Sequence, residues 1–186
     1  AHGSGRGGPD FTVTFRGARS FNLEVTRPHR LPDAGGLGAA LLAKLGAEPF
    51  DATLTAEGFH AALQRRRGPV KVALLGGSII VGAGNIYACE ALFAAGIDPR
   101  TRSHRISRPR AARLLASVRD TLARALALGG STLRDFRDAH GMDGAYQNQS
   151  RVYGRQGLPC PKCGAAVLRV VQGQRSTFFC RHCQKR

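Results

Sequence analysis

Four cysteines near the C-terminus constrain the fold of this chain more than any other feature of its sequence. They form two pairs, Cys160-x-x-Cys163 and Cys180-x-x-Cys183, which sixteen residues separate. Each pair supplies two thiolates from one tight turn, and the residues between the pairs are sufficient for a β-hairpin that returns the chain to the metal. The spacing therefore predicts a zinc finger with one tetrahedral Zn²⁺ per chain.

The predicted hairpin is basic, and so is the chain as a whole. Lysine and arginine together number 28 against 12 aspartates and glutamates, which gives a net charge of +16 on 186 residues. Such an excess is typical of proteins that bind DNA or RNA, and Arg175 in the hairpin is suited to bidentate contacts with phosphate. Two alternatives stay open, a zinc ribbon that only stabilises its own domain and a basic protein without a polyanionic partner.

The sequence divides into three parts of different character, which together predict an α+β fold. Residues 11–16 and 21–26 alternate apolar and polar side chains, a pattern that predicts two strands of a β-hairpin. A lone hairpin is only marginally stable in water, so we expect residues 1–45 to be the C-terminal remnant of a β-domain. Residues 46–150 are predicted to form a helical domain, and residues 151–186 the zinc finger.

The helical domain contains several segments with recognisable helix signals. Thr55 is a plausible N-cap for a helix over residues 55–63, and residues 70–75 form a short apolar helix. A further helix is predicted over residues 85–95. Ser107 is predicted to cap a longer helix with a proline in its first turn. The buried face of that longer helix is predicted to contain Ala112, Leu115, Val118, Leu122 and Leu126.

A glycine-rich connection, residues 82–85 (GAGN), joins two of these helices. Glycines let another backbone approach closely, and the free N–H groups at a helix start favour an anion. Asn85 adds a donor there, and Lys71 adds a charge that could reach the same phosphate. The residues alone leave two interpretations open: a phosphate site, or glycines that serve helix packing with Asn85 as a simple N-cap.

Further features bear on the cellular compartment. The sequence contains no apolar run of about eighteen residues, the minimum for a membrane span, and we recognise no signal peptide. Four of the five cysteines are assigned to zinc, a use that fits a reducing cytoplasm better than a disulfide scaffold. The fifth, Cys89, is predicted to be a small buried packing residue. We expect a cytoplasmic monomer without a membrane partner.

Several segments resemble bacterial formamidopyrimidine-DNA glycosylase, a family whose architecture endonuclease VIII shares. Lys71 followed by residues 81–99 (VGAGNIYACEALFAAGIDP) is similar to the helix–two-turns–helix motif of that family. Residues 129–136 (GGSTLRDF), 152–155 (VYGR) and 174–185 (QRSTFFCRHCQK) are similar to later parts of it. The resemblance extends from about residue 46 to the C-terminus.

The resemblance implies a function in base excision repair. Members of the family excise oxidised purines from double-stranded DNA and then cleave the strand at the abasic site. It implies that Lys71, Asn85 and Arg175 hold phosphates around the lesion, and that the loop near residues 134–149 covers the flipped base. It also implies a bacterial, nucleoid-associated protein.

The N-terminal part departs from the family pattern. Residues 26–31 (TRPHRL) look like a family loop in which an arginine and a phenylalanine fill the gap left by the extruded base. Arg30 keeps the arginine and is a candidate DNA-binding residue. Leu31 stands in place of the phenylalanine, and leucine can wedge between base steps but stacks poorly.

The family's nucleophile cannot be located in these residues. That nucleophile is an N-terminal proline amine followed by glutamate, with a lysine later in the first domain, and the catalytic residues are therefore unknown here. Ala1 offers an amine but precedes a late strand, so we do not assign it this role. We expect the C-terminal part of a longer enzyme that is inactive on its own. The alternatives are a noncatalytic damaged-DNA-binding zinc protein and a zinc ribbon of the ribosome or transcription machinery, which the helical motif disfavours.

Overall fold

The computed structural model describes residues 45–128 and 149–186, which form a helical domain and a small antiparallel hairpin packed against it. The helices are α1 (Ala56–Gln64), α2 (Val70–Leu75), α3 (Asn85–Ala94) and α4 (Arg108–Ala127), with a 3₁₀ turn at Ser103–Arg105. Strands β1 (Leu168–Gln172) and β2 (Arg175–Phe179) form the hairpin. The predicted strands at 11–16 and 21–26, Arg30 and nearly all of the 134–149 loop lie outside the described residues.

The ends of the helices follow the signals in the sequence. Thr55 caps α1, because its Oγ1 accepts a hydrogen bond from the Gly58 N–H at 3.1 Å. Ser107 occupies the N-cap position of α4 but makes no side-chain cap bond, and a proline lies in the first turn. Helix α3 ends in front of Gly96, whose φ of 68° is accessible at little cost to glycine. Both predicted caps thus mark true helix starts, although only Thr55 caps through its side chain.

Helix α4 forms the centre of the helical core, where it contacts both α1 and α3. The prediction for its buried face is confirmed for Leu115, Val118 and Leu122, but Ala112 is exposed and Leu126 is only half-buried. The predicted stripe was placed too far to one side, because a helix with neighbours on two flanks buries a wider face. That face also includes Ala111, Leu114, Ser117, Thr121 and Ala125.

The hairpin of the finger is closed by a two-residue turn. Gln172 pairs with Arg175, and the intervening Gly173 and Gln174 both have positive φ, at 53° and 60°. This conformation matches the right-handed twist of the two strands. Val167, Phe178 and Phe179 are buried and form its small core, whereas Val170 is only half-buried because β1 has one face towards solvent.

The finger packs on α3 and the turn that follows it. Phe93 of α3 joins the finger's apolar cluster together with Val167 and Phe178. The Lys185 N–H donates to Gly96 O at 3.0 Å, and the Asp98 N–H donates to Lys185 O at 2.9 Å. A Cβ on Gly96 would lie 3.4 Å from Cys183 O, so the chain approaches the metal-binding turn closely at this point. These contacts fix the finger relative to the helices.

A buried carboxylate strengthens the same junction. Asp98 is 2% exposed and accepts hydrogen bonds from Arg100 Nε at 3.0 Å and Nη2 at 2.6 Å, while Arg186 Nε lies 3.8 Å away. Burial pushes the pKa of Asp98 upward, but the hydrogen bonds and charge of Arg100, aided by Arg186, outweigh it and leave the pKa below its usual value. Because the folded pKa is depressed, Asp98 stabilises the fold above the unfolded pKa of about 4, and this contribution is lost as the pH falls further.

Candidate metal centre and nucleic-acid interface

The four predicted zinc ligands converge in the structure. The Sγ atoms of Cys160, Cys163, Cys180 and Cys183 all lie within 4.8 Å of one another. The Cys160–Cys183 and Cys163–Cys180 separations are 3.8 and 3.5 Å. Sulfurs at the corners of a tetrahedron with Zn–S bonds of ~2.3 Å lie about 3.8 Å apart, so the cluster has the right size for one Zn²⁺.

The thiols also have the chemistry of a cation site. Burial and hydrogen bonding among the neighbouring sulfurs raise the pKa of Cys183 to about 12. Thiolates crowded this closely repel one another, and a divalent cation removes that penalty by coordinating them. The chain thus carries one four-cysteine zinc site, and the bound ion would supply folding free energy rather than chemistry. Cys89 is buried, as predicted, in an apolar cluster with Cys160 and Cys180, but it is not one of the four converging thiols. Burial is the main reason that its pKa is raised.

Lys71 lies where α2 meets the finger. Its side chain is fully buried, and Nζ donates to Asn85 Oδ1 at 2.6 Å, Thr177 Oγ1 at 2.8 Å and Ser176 O at 3.3 Å. These acceptors use all three of its hydrogens, which is how a buried ammonium is stabilised. Burial lowers the pKa of Lys71, the nearby Cys89 opposes this shift and Arg175 adds to it. The phosphate contact predicted for Lys71 stays a prediction.

Asn85 is the first residue of α3 and links that helix to the finger. The N-cap position belongs to Gly84, so the interpretation of Asn85 as a simple N-cap is wrong. Its amide Nδ2 donates to Ser176 O at 3.1 Å and lies 3.4 Å from the Tyr153 hydroxyl, while Oδ1 accepts from Lys71. Gly82 has a φ of 77° and a Cβ there would meet no atom within 4 Å, so it serves the turn rather than tight packing.

Arg175 stands at the edge of this junction. It is the first residue of β2, directly after the hairpin turn, and its side chain is exposed. The turn itself rests on α2, because a Cβ on Gly173 would lie 3.7 Å from Val72 Cγ2. Two of the predicted DNA-binding residues, Lys71 and Asn85, are therefore hydrogen-bonded to each other, and Arg175 is close enough for its charge to affect Lys71. The N-terminal end of α3, which carries positive partial charge, lies beside them.

One residue of this region was not predicted from the sequence. Glu90 is 4% exposed, and its carboxylate accepts hydrogen bonds from the backbone N–H groups of Arg151, Val152 and Tyr153 at 2.9 to 3.0 Å. It thereby fixes the segment that leads into the finger and places Tyr153 next to Asn85. The available signal was a lone glutamate in an otherwise apolar helix, which is costly to bury unless it has partners.

Comparison with known proteins agrees with this architecture. Residues 45–137 match the family described as "Formamidopyrimidine-DNA glycosylase H2TH domain", and residues 157–186 match "Zinc finger found in FPG and IleRS". The chain belongs to the formamidopyrimidine-DNA glycosylase family. The resemblance seen in the sequence is thus confirmed over the helical domain and the finger.

Alignment with individual family members shows what share of their length this chain covers. The formamidopyrimidine-DNA glycosylase of Albidiferax ferrireducens is 55% identical over 145 residues, which are 78% of this chain and 54% of the relative. That of Ralstonia pickettii is 47% identical over 182 residues, which are 98% of this chain and 62% of the relative. The chain therefore spans only about half to three fifths of these family members.

Solved structures of the family have the same fold. MutM (FPG) from Thermus thermophilus is 42% identical with a TM-score of 0.74, and the match covers 79% of this chain and 56% of that one. Lactococcus lactis Fpg in complex with DNA that contains an abasic site is 30% identical, with a TM-score of 0.72 and coverage of 81% and 55%. In the part of the chain that the structure describes, no helix is long and apolar enough to cross a membrane.

Proposed function

We propose that this chain is the DNA-gripping part of a bifunctional base excision repair enzyme, a glycosylase for oxidised purines and an abasic-site lyase. The observation that carries the proposal is the junction at which Lys71 and Asn85 meet the finger strand beside exposed Arg175. The helical domain and the finger meet at this junction, where they concentrate hydrogen-bond donors and positive charge. Such an arrangement is suited to binding the phosphate backbone of DNA. The partner is double-stranded DNA with an oxidised base or an abasic site, in line with the abasic-site DNA bound by the Lactococcus lactis relative.

The residues of the junction have different roles in this proposal. Arg175 contacts phosphate directly, since its guanidinium is exposed and can form bidentate hydrogen bonds. Asn85, at the N-terminal end of α3, contacts phosphate with the amide hydrogen that faces the Tyr153 hydroxyl at 3.4 Å, the longer of its two donated hydrogen bonds, which is exchanged when DNA binds. Lys71 lies beneath them, where its hydrogen bonds hold Asn85 and the Ser176–Thr177 backbone in place while its charge adds to the local positive field. Arg30, with Leu31 beside it, acts in the proposal at the gap left by the extruded base.

The charge of the finger supports a polyanionic partner. Residues 149–186 contain no aspartate or glutamate, so no carboxylate within the finger neutralises its basic side chains. The only ion pairs that join described side chains are those of Asp98 with Arg100 and Arg186. Among the described residues, no carboxylate therefore pairs with Arg175 in place of a phosphate.

The chemistry of the proposed enzyme requires strong contacts with the DNA backbone. Attack on the sugar of a damaged nucleotide requires that the base be flipped out of the stack, which costs a few kcal/mol. Phosphate contacts that do not depend on the base offset this cost on either side of the lesion. The zinc finger and the start of α3 provide such contacts from two rigid elements.

Removal of Arg175 tests the grip. We expect Arg175→Ala to weaken binding to an abasic-analogue duplex about ten- to hundredfold, because one charge-assisted contact is lost. The slope of log K against log salt should become shallower by about one unit. Arg181→Ala removes the same charge from the zinc end of the same finger and should change both quantities less. Equal effects of the two substitutions, or none for Arg175→Ala, would rule out the specific contact.

We propose that residues 1–186 do not supply the amine for the covalent chemistry. A lyase amine must attack C1′ of the abasic sugar and lose water to give an imine, which borohydride then reduces to a stable amine. Among the described lysines, Lys71 has its Nζ enclosed by three acceptors, and Lys162 and Lys185 lie on the finger. The proposal assigns the attacking amine to none of these three lysines.

Borohydride trapping checks this assignment. We expect residues 1–186 to give no efficient covalent adduct with an abasic-site duplex, although they bind it. Efficient trapping that disappears when the Ala1 amine is blocked would assign the chemistry to Ala1. Trapping that survives this block but disappears in Lys71→Met would assign it to Lys71, and either result would contradict the proposal.

A further inference from the structure

A cluster of exposed arginines lies on the helical domain beside the junction. Three of them, Arg65, Arg66 and Arg67, follow α1, and two more, Arg102 and Arg105, come from the segment around the 3₁₀ turn. All five side chains are exposed. We call this cluster the arginine ridge.

The fold brings the two halves of the ridge together. Pro69 and Arg102 form an antiparallel bridge, the Ser103 N–H donates to Gly68 O at 2.9 Å, and the His104 N–H donates to Arg66 O at 3.1 Å. Arg102 Nη1 also donates to Arg67 O at 3.1 Å. Arg65 lies in the turn that ends α1 and Arg105 lies in the 3₁₀ turn, so these hydrogen bonds hold two short turns and their positive charges side by side.

No described carboxylate neutralises the ridge. The ion pairs within residues 45–128 and 149–186 involve only Asp98, and Glu90 is occupied by backbone N–H groups. Five like charges that repel one another and form no ion pair with a described carboxylate lower the stability of the fold unless an anion is present. This arrangement indicates a ligand of high and repeated negative charge.

The ridge is continuous with the proposed DNA-binding junction on two sides. Arg66 Nη2 donates to Ser78 Oγ at 2.9 Å, in the connection that leads to Asn85. Lys71 N–H and Gln172 Nε2 of the hairpin both donate to Pro99 O, at 3.4 Å each, a few residues before Arg102. The ridge thus adjoins the junction through Ser78 and through Pro99.

We propose that the arginine ridge binds the phosphate backbone of duplex DNA in the flank beyond the lesion. This inference rests on the proposed function and extends its footprint. The repeated charge of a nucleic-acid backbone, one phosphate per ~3.4 Å of each strand, matches a row of arginines. In this proposal the contact is independent of both the base sequence and the lesion, because phosphate contacts position a protein on DNA without reading its sequence.

Binding to duplexes of two lengths tests the ridge. The variant Arg65→Gln/Arg67→Gln/Arg105→Gln removes three charges whose side chains make no described hydrogen bond, and the matched Arg→Lys triple variant keeps the charge. A short abasic-analogue duplex that ends a few base pairs from the lesion is compared with one that is longer by about one helical turn, ~10 base pairs, on each side. Zinc content and thermal unfolding confirm that each variant is folded.

If the arginine ridge binds flanking DNA, the loss of affinity in the glutamine variant should depend on the length of the duplex. The glutamine variant should lose about tenfold or more affinity for the long duplex, with a salt slope shallower by about two to three units, and should bind the short duplex like the wild type. The lysine variant should retain most of the long-duplex affinity. If the glutamine variant kept its affinity for the long duplex, or lost affinity equally for both duplexes, the proposed DNA contact of the arginine ridge would be wrong. The proposed role of the junction would not be affected by that result. If the wild-type chain bound neither duplex, the proposed function itself would fail.

Discussion

Replacement of Cys163 by serine is expected to abolish zinc binding and to unfold the finger. Zinc coordination supplies about 10–16 kcal/mol in isolated fingers, far more than the few buried apolar side chains of this hairpin can provide. Cys163 is exposed, so serine removes a metal ligand without opening a cavity in the core. Lys71 would then lose its finger acceptors, Ser176 O and Thr177 Oγ1. It would no longer be covered by the finger and would keep only Asn85 as a hydrogen-bond partner.

The Cys163→Ser substitution should weaken DNA binding as well as abolish zinc binding. We expect the zinc content to fall from one ion per chain to near zero and the affinity for an abasic-analogue duplex to fall at least about a hundredfold. Elemental analysis, amide hydrogen exchange of β1 and β2, and fluorescence anisotropy measure the three effects. Cys89→Ser is the matched control, because Cys89 is buried but is not one of the four ligands, so its replacement should leave zinc in place. A folded, metal-free Cys163→Ser protein with normal DNA affinity would contradict the zinc assignment.

Replacement of Glu90 by glutamine is expected to have the second largest effect. Three backbone N–H groups converge on the Glu90 carboxylate, and a glutamine amide turns an acceptor into a donor that opposes one or more of them. A buried N–H without an acceptor costs about 1–3 kcal/mol, so we expect a loss of about 3 kcal/mol in the free energy of unfolding. Urea unfolding measures it, and Asp120→Asn at an exposed position of α4 is the control.

A positioning role for Glu90 predicts a further effect on binding. When the 151–153 segment is released, the Tyr153 hydroxyl loses its place beside Asn85, and the Tyr153–Phe178 edge contact, with centroids 5.0 Å apart, is disturbed. Glu90→Gln should therefore weaken DNA binding at a temperature where the protein is still folded, and Tyr153→Phe should weaken it in the same direction. If Glu90→Gln lowered stability but left the affinity of the folded protein unchanged, Glu90 would have no part in the junction.

The sequence predicted those features that depend on local pattern. The cysteine spacing predicted the metal site because two short turns and a hairpin suffice to bring four thiols together. The helices were predicted to within a residue or two, since caps and glycines mark their ends. Lys71 and Asn85 were placed in one site, and the structure joins them by a hydrogen bond of 2.6 Å.

Features that depend on packing between distant segments were not predicted. Burial of Lys71 requires the finger to fold over α2, more than a hundred residues away in sequence. The role of Glu90 depends on a backbone segment sixty residues later, which no local pattern reveals. The misplaced face of α4 has the same origin, because the width of its buried face depends on which neighbours cover the helix.

The central claim is that Arg175 and the start of α3 grip phosphates next to the lesion. Its most direct test replaces each phosphate around an abasic analogue, one at a time, by a neutral methylphosphonate and measures the affinity of the wild type and of Arg175→Ala. The account predicts at least one phosphate whose neutralisation weakens binding by the wild type about tenfold or more. The same neutralisation should have little effect on binding by Arg175→Ala, because that variant already lacks the guanidinium that would contact the phosphate. The same sensitivity profile in both proteins would contradict the claim.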